Sequence, residues 1–370
     1  MAEDAEQPWR LPDTVKGRDV GLGGRPGNFL SPSAKARLHR IVHRAPEVMV
    51  KVTGRSRGGA GHLKAHLDYI TRNGTISART QDGTIIRDRT ALRTLNDDWL
   101  LANAADERGR SSPNAAQSVS LILSMPPGTP ADRLEAAALT WARNTFGTRY
   151  DWIMARHDDT DHPHVHLSVR AVGPDGRRLA PGPQELQLWR ERFSRELRRL
   201  GVQAEATPRQ ARGKVQKAAP LALHKAEQRG AEPRVLKMAR EQAAIEARAS
   251  KLPQPHNWSR DIQMRQENIR CAYLLHADGL DAGGLDDQLL ARDIRRFVAD
   301  MPVPLTRRQA LVVALRNVLS KHPGRTTPTE EQLHDPAVPL PCRDAKPRQT
   351  SPALDAIWPQ RDGRRSSRER

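Results

Sequence analysis

The sequence predicts an α+β fold: a central antiparallel sheet with helices on one side, followed by a helical C-terminal region. Three observations predict it. Two extended runs, Tyr150 to His157 and His164 to Val172, are separated only by a short polar turn, the spacing of an antiparallel pair. A further strand pattern at Ser118 to Met125 is followed at once by a helical one, so helices and strands share one core. Beyond about residue 220, apolar residues recur at helical spacing with no strand pattern among them.

Taken in order, residues 1–45 mix Pro, Gly, Arg and Asp without periodicity and read as a disordered basic arm. Residues 46–205 form the first folded domain. Val48 to Val52 begins it as a strand, and a helix over residues 61–72 places Leu63, Leu67 and Ile70 on one stripe, with Asn73-Gly74 as a left-handed stop. Asp82-Gly83 marks a turn, and a helix is predicted near residues 91–102. After the strand at 118–125, Pro126-Pro127-Gly128 ends the extended run. Thr129 is the expected N-cap of a helix from Pro130 to Phe146, and Gly147 its stop. The two extended runs around residue 160 come next, then a helix at 184–200 with Trp189, Phe193, Leu197 and Leu200 on its apolar face. Residues 206–220 are a linker. Residues 221–322 are helical, with Leu285, Leu289, Leu290, Ile294, Phe297 and Val298 as a packed face, and residues 323–370 read as a disordered basic tail.

Composition narrows the function. The chain of 370 residues carries a formal charge of +18, which points to a polyanionic partner, nucleic acid first. No apolar run approaches the roughly 20 residues that span a bilayer and no signal-peptide pattern opens the chain. The expectation is a cytoplasmic protein without membrane insertion. Cys271 and Cys342 are too far apart in sequence to suggest a disulfide framework or a cysteine zinc site. Only three tyrosines occur, Tyr69, Tyr150 and Tyr273, so a search for a reactive phenol is short.

The segment from His157 to His166 reads HDDTDHPHVH. Strand alternation sends His164, His166, Ser168 and Arg170 to one face and Val165, Leu167, Val169 and Ala171 to the other. If residues 158–163 are the turn, His157 closes the preceding strand beside that pair, and three imidazoles converge. Three neutral imidazoles with an open position suit zinc, manganese or another first-row divalent metal better than magnesium, which prefers oxygen. His162 and Asp159 are placed to orient a ligand or to take a proton. A soluble hairpin tip is the bland alternative. His162-Pro163-His164-Val165-His166 also resembles the alternating histidines of the HIT nucleotide hydrolases, although Pro163 and Ser168 fit that pattern poorly.

Three blocks, in order, carry a more extensive resemblance: HLDYITRNG at residues 66–74, LSMPPGT at 123–129, and His157-x-Asp159-x-x-His162-Pro163-His164-x-His166. They resemble the relaxase, or mobilisation nuclease, family of HUH endonucleases, and the resemblance covers less than half of the chain. It implies a metal-dependent enzyme that nicks and rejoins one DNA strand at a transfer origin through a 5′-phosphotyrosyl intermediate, so mobilising a plasmid or integrative element. By it, Tyr69 is the nucleophile. His157, His164 and His166 are the metal ligands, with manganese or magnesium as activators in vitro, and Asp159 and His162 are the acid and imidazole of the same motif. Ser124 and Arg72 are implied DNA contacts. Single-stranded DNA is the implied partner, with accessory relaxosome proteins and a coupling protein beside it, in a bacterial cytoplasm. Tyr150 is the competing phenol, but about seven extended residues at roughly 3.3 Å each separate it from His157. Rolling-circle initiators usually place their tyrosine after the histidine motif, whereas Tyr69 precedes it. A non-catalytic DNA-binding accessory would explain the charge but not the aligned imidazoles.

Overall fold

The computed structural model describes residues 30–57, 60–107, 115–214, 226, 229–230, 233–249 and 257–321. They divide into a sheet unit, residues 44–206, and a helical unit drawn from both sides of it in sequence.

The sheet unit contains β1 (Met49–Ser56), α2 (Ala60–Ile70), β2 (Ala78–Thr80), β3 (Ile85–Ile86), α3 (Arg89–Glu107), β4 (Ser118–Ser124), α4 (Ala131–Phe146), β5 (Trp152–His157), β6 (His164–Arg170) and α5 (Pro183–Arg199). The strands form one sheet in the order β1-β4-β6-β5-β2-β3, and every pairing is antiparallel. The expected strands are present. β2 and β3, of three and two residues, are too short for alternation to reveal; Gly83, at φ 93°, makes their turn.

Helices pack on both faces of the sheet, which corrects the expected one-sided arrangement. On one face Val50, Leu121, Leu123, Leu167, Val169, Trp152 and Met154 meet α4 and α5 around Trp141, Phe146, Trp189 and Phe193. On the other, Ile153, Ala155 and Ala78 meet Leu63, Leu67 and Ile70 of α2 and Leu92 and Trp99 of α3. The reason is legible in β5, whose alternate residues are buried on both sides, as a strand covered twice must be. Trp141 donates its indole N–H to the carbonyl of Trp189 at 2.9 Å, joining α4 to α5. Thr129 does not cap α4; its hydroxyl donates to the Pro126 carbonyl at 3.0 Å, and Pro130 occupies the cap position. Leu200, expected on the apolar face of α5, is exposed beyond the helix end. The two ends of the unit lie side by side, with Val48 N–H donating to Glu205 O and Glu205 N–H to Pro46 O, both at 2.9 Å.

The helical unit contains α1 (Pro32–Val42), α6 (Arg234–Arg248), α7 (Asn257–Leu280), α8 (Leu285–Ala299) and α9 (Arg307–Lys321). Residues 32–42 thus correct the expected arm, of which residues 1–29 lie outside the described residues. Ser31 caps α1, accepting from Ala34 N–H at 3.2 Å, and Pro32 opens it. Its buried apolar residues are Leu38 and Ile41, with Val42 partly buried beside them, too short a stripe to declare itself among so many basic residues, and it is completed by Ile269, Tyr273, Ile294 and Phe297. Leu285 and Leu289, expected in the packed face of α8, are exposed, while Leu290, Ile294, Phe297 and Val298 are buried. Residues 209–212, read as linker, form a 3-10 turn with Ala211 buried; the rest of the expected linker, residues 215–220, and the tail from 323 lie outside the described residues.

Candidate active site

β4, β6 and β5 run side by side, and the histidines sit where they meet. His157 is the last residue of β5 and pairs directly with His164, the first of β6, while His166 lies between Ala155 and Ile122. Alternation puts the hydrophobic residues of β6 into the α4–α5 core and leaves the histidines on the α2 side. All three are buried. Their ring centroids are 4.4 Å apart for His157 and His166, 5.1 Å for His164 and His166 and 5.5 Å for His157 and His164. One ligand atom from each lies within 4.8 Å of the others, and no other cluster of this kind occurs among the described residues.

The protonation pattern suits metal ligation. Burial lowers the pKa of His157, an effect that its bond to the Ile70 carbonyl opposes and repulsion from His164 reinforces. Burial takes His166 to about 3, with help from His157, His164 and His66. At neutral pH these two rings are therefore uncharged, as ligation requires. A carbonyl only accepts, so the ring nitrogen facing one must carry the hydrogen. His157 Nε2 lies 2.7 Å from Ile70 O and His164 Nδ1 lies 3.0 Å from His162 O, which leaves the opposite nitrogen of each ring as the lone-pair donor. One ring atom of each histidine lies within 4.8 Å of the others, so one divalent first-row ion could be shared by the three. The residues fit the ion.

Tyr69 reaches the cluster from α2. Its ring stands edge-on to His166 at 5.5 Å and tilted to His157 at 6.1 Å. Burial raises its pKa, the Asp159 carboxylate raises it further and Arg72 partly opposes this, so the phenol of the free protein keeps its proton. Tyr150 instead packs against Phe146 in the α4–α5 core. Tyr273 is buried in the helical unit, donating to Ala211 O at 3.0 Å. Of the three phenols, Tyr69 alone stands at the histidines.

Asp159 bridges the site. Its Oδ2 accepts from Arg72 Nη2 at 2.5 Å and its Oδ1 lies 4.0 Å from His164 Nε2. Burial would raise its pKa, but the Arg72 guanidinium, together with its own backbone N–H and His157, holds the carboxyl below its ordinary value. Arg72 follows α2 on backbone of positive φ, 49°, continued by Asn73 at 58° and Gly74 at 83°. A left-handed non-glycine residue costs about 1–2 kcal/mol, whereas an exposed ion pair returns about 0–1 kcal/mol. Arg72 and Asp159 are each nearly half exposed, at 46% and 47%. Their pairing does not offset the backbone that presents it.

Ser124 is buried at the end of β4, opposite His164 in the ladder. The His162 ring is exposed on the turn; its carbonyl, rather than its imidazole, serves the site by facing His164. His157 therefore completes the triad where an alternating-histidine hydrolase pattern would need His162. Sequence reasoning gave no role to His66, one helical turn before Tyr69. Its Nε2 is buried without a hydrogen-bond partner, and burial lowers its pKa to about 4. Its spacing from Tyr69 on one helix was the available signal.

A sheet with an inward histidine triad on its central strands, faced by a half-buried tyrosine, agrees with the relaxase class that the three sequence blocks resemble. Comparison with known proteins makes this particular: residues 69–200 match the family described as "Relaxase: MobA/VirD2-like, nuclease domain". The T-DNA border endonuclease VirD2 of Rhizobium radiobacter is 27% identical over 175 residues, 43% of this chain and 41% of its own length. Its counterpart from Agrobacterium fabrum is 30% identical over 114 residues, 28% and 25% of the two chains. The chain spans less than half the length of these relatives.

Proposed function

We propose that the chain nicks and rejoins one strand of DNA at a transfer origin, through a 5′-phosphotyrosyl intermediate on Tyr69, and so starts the mobilisation of a plasmid or integrative element. The observation that carries this reading is the Tyr69 ring set edge-on against His166, beside His157. The relatives are named as border endonucleases, which accords with a cut at a defined site.

In the forward step the Tyr69 oxygen bonds to phosphorus, the bond from phosphorus to the 3′ oxygen breaks, the phenol gives up its proton and the 3′ oxygen leaves as a hydroxyl. The phosphotyrosyl ester conserves the energy of the broken bond, so attack by a 3′ hydroxyl reseals the strand without ATP. A divalent ion on His157, His164 and His166 would supply Lewis-acid charge to the scissile phosphate, and manganese, zinc or another first-row ion matches the nitrogen donors. The phenol's proton would pass to His162 or to Asp159, whose carboxylate adds to the burial that raises the phenol's pKa. Pairing with Arg72 makes Asp159 a weak base in the free protein. Ser124, buried opposite His164, and Arg72 would position the strand, which must be single or extruded to bend into the site. Accessory relaxosome proteins and a coupling protein are the partners this activity needs, in a bacterial cytoplasm; no described helix is long and apolar enough to cross a membrane.

The test incubates the full chain with manganese and labelled single-stranded oligonucleotides from its own mobile element, followed by a denaturing gel without protease. A labelled band migrating with the protein, absent in Tyr69→Phe and in EDTA, is the expected result. Cleavage that survives Tyr69→Phe would overturn the assignment.

A further inference from the structure

The site holds a cation that the histidine triad does not require. Arg72 lies three residues after Tyr69, and its guanidinium is aimed by a turn that is pinned from several sides. Thr71 Oγ1 donates to Leu67 O at 2.8 Å and accepts from Gly74 N–H at 3.2 Å. Arg89 Nε donates to the Asn73 carbonyl at 3.1 Å, and Ile76 N–H to Thr71 O at 2.9 Å. Glycine would hold residue 72 in its left-handed backbone without strain. The arginine is therefore kept for its side chain, and the exposed pair with Asp159 gives the fold too little to be the reason. A guanidinium fork accepts carboxylate and phosphate oxygens in the same planar geometry, so a carboxylate is a fair stand-in for a phosphodiester.

Resting on the nicking reading, we infer that Arg72 anchors a backbone phosphate next to the one Tyr69 attacks, and that Asp159 holds that phosphate's seat in the free protein. Arriving DNA exchanges one anion for another on the same guanidinium. The exchange lowers affinity for any short anion, because the carboxylate must be displaced. It costs a long strand proportionately less, because that strand binds at several further points. The seat thereby selects a polyanion over an isolated phosphate.

The experiment measures binding of a fluorescent single-stranded oligonucleotide to the full chain over a series of salt concentrations, in a Tyr69→Phe background that cannot cleave. Arg72→Gln, Arg72→Lys, Asp159→Asn and the Arg72→Gln/Asp159→Asn pair are compared. Asp159→Asn is expected to tighten binding about two- to fivefold, the scale of an exposed charge pair. Arg72→Gln is expected to weaken it and to lower the log–log salt slope by about 0.7, one phosphate contact on a single strand. Arg72→Lys keeps the slope and loses part of the affinity. The double variant should match Arg72→Gln, because without the guanidinium the carboxylate has nothing to withhold. Asp159→Asn that leaves affinity unchanged or weaker, or Arg72→Gln that lowers thermal stability but not the slope, would overturn the inference. So would inorganic phosphate competing at Arg72 as well as the oligonucleotide does. The covalent-adduct assay on Tyr69 separates the two claims. An absent adduct sinks the nicking reading while the four affinities still decide the phosphate seat, and a normal adduct with an unchanged slope sinks the seat alone.

Discussion

His66 and His166 tie folding to pH. Both are uncharged in the folded chain down to about 4 and 3, whereas in the unfolded chain an imidazole titrates near 6.5. Above that value the two states bind the same number of protons and these groups have no effect. As pH falls below about 6.5 the unfolded chain takes up protons that the folded one refuses, and stability is lost progressively until the folded pKa values are reached. Urea unfolding of the metal-free protein should show its midpoint falling between pH 6.5 and 4, and His66→Gln should flatten that fall. Gly74 is a second single-residue constraint. With φ at 83° and a would-be Cβ 3.1 Å from backbone atoms of Asp88 and Arg89, Gly74→Ala should lose about 1–3 kcal/mol in the same measurement. At this scale alternation made the pairing of His164 with His166 readable, because a strand has one period, and His157 joined them only through the turn at residues 158–163. The unpartnered nitrogen of His66 was not readable, since no local pattern records what stands across a helix from a ring.

Among the elements, β5 and β6 do most to build the site and were the most legible: a six-residue polar turn fixes their register, and register fixes which face the histidines share. The short β2–β3 hairpin was invisible for the opposite reason, having too few residues for a period. α3 runs from Arg89 to Glu107, well past the predicted stretch. Its far end is held by tertiary ion pairs: Arg178 with Glu107, and Arg170 with Asp106 at 2.6 Å. The other face depends on the junction of α4 and α5. Trp141 is fully buried there, meets Phe146, Trp189 and Phe193 edge-on and bonds across to the Trp189 carbonyl. Trp141→Ala should cost about 3–5 kcal/mol, read as a lowered thermal midpoint with the oligonucleotide salt slope unchanged below it.

At the scale of the whole molecule, the charge of +18 should make the proposed DNA binding depend on salt far beyond what one arginine contributes, with log affinity falling linearly in log salt. The sheet unit has its own core, and the fragment of residues 44–206 should unfold cooperatively by itself and still form the Tyr69 adduct, with weaker DNA binding and a shallower slope than the full chain. A fragment that binds with the full-length slope would place every phosphate contact in the sheet unit. What composition hid was the helix inside the expected arm. Residues 32–42 look like an arm because their partners lie more than 200 positions away, as the Lys35–Asp287 pair at 2.7 Å illustrates.

That the ends of the sheet unit lie side by side, stitched at Pro46, Val48 and Glu205, makes it in sequence an insertion within the chain of the helical unit. On the ribosome this imposes an order. Residues 44–206 can close as soon as they emerge, while α1, already made, waits for residues 269–301 to complete its core. At about 5–20 residues per second that delay is on the order of ten seconds or more. Through that interval Leu38 and Ile41 have no partner core, and α1 is the element of the nascent chain most open to capture by chaperones.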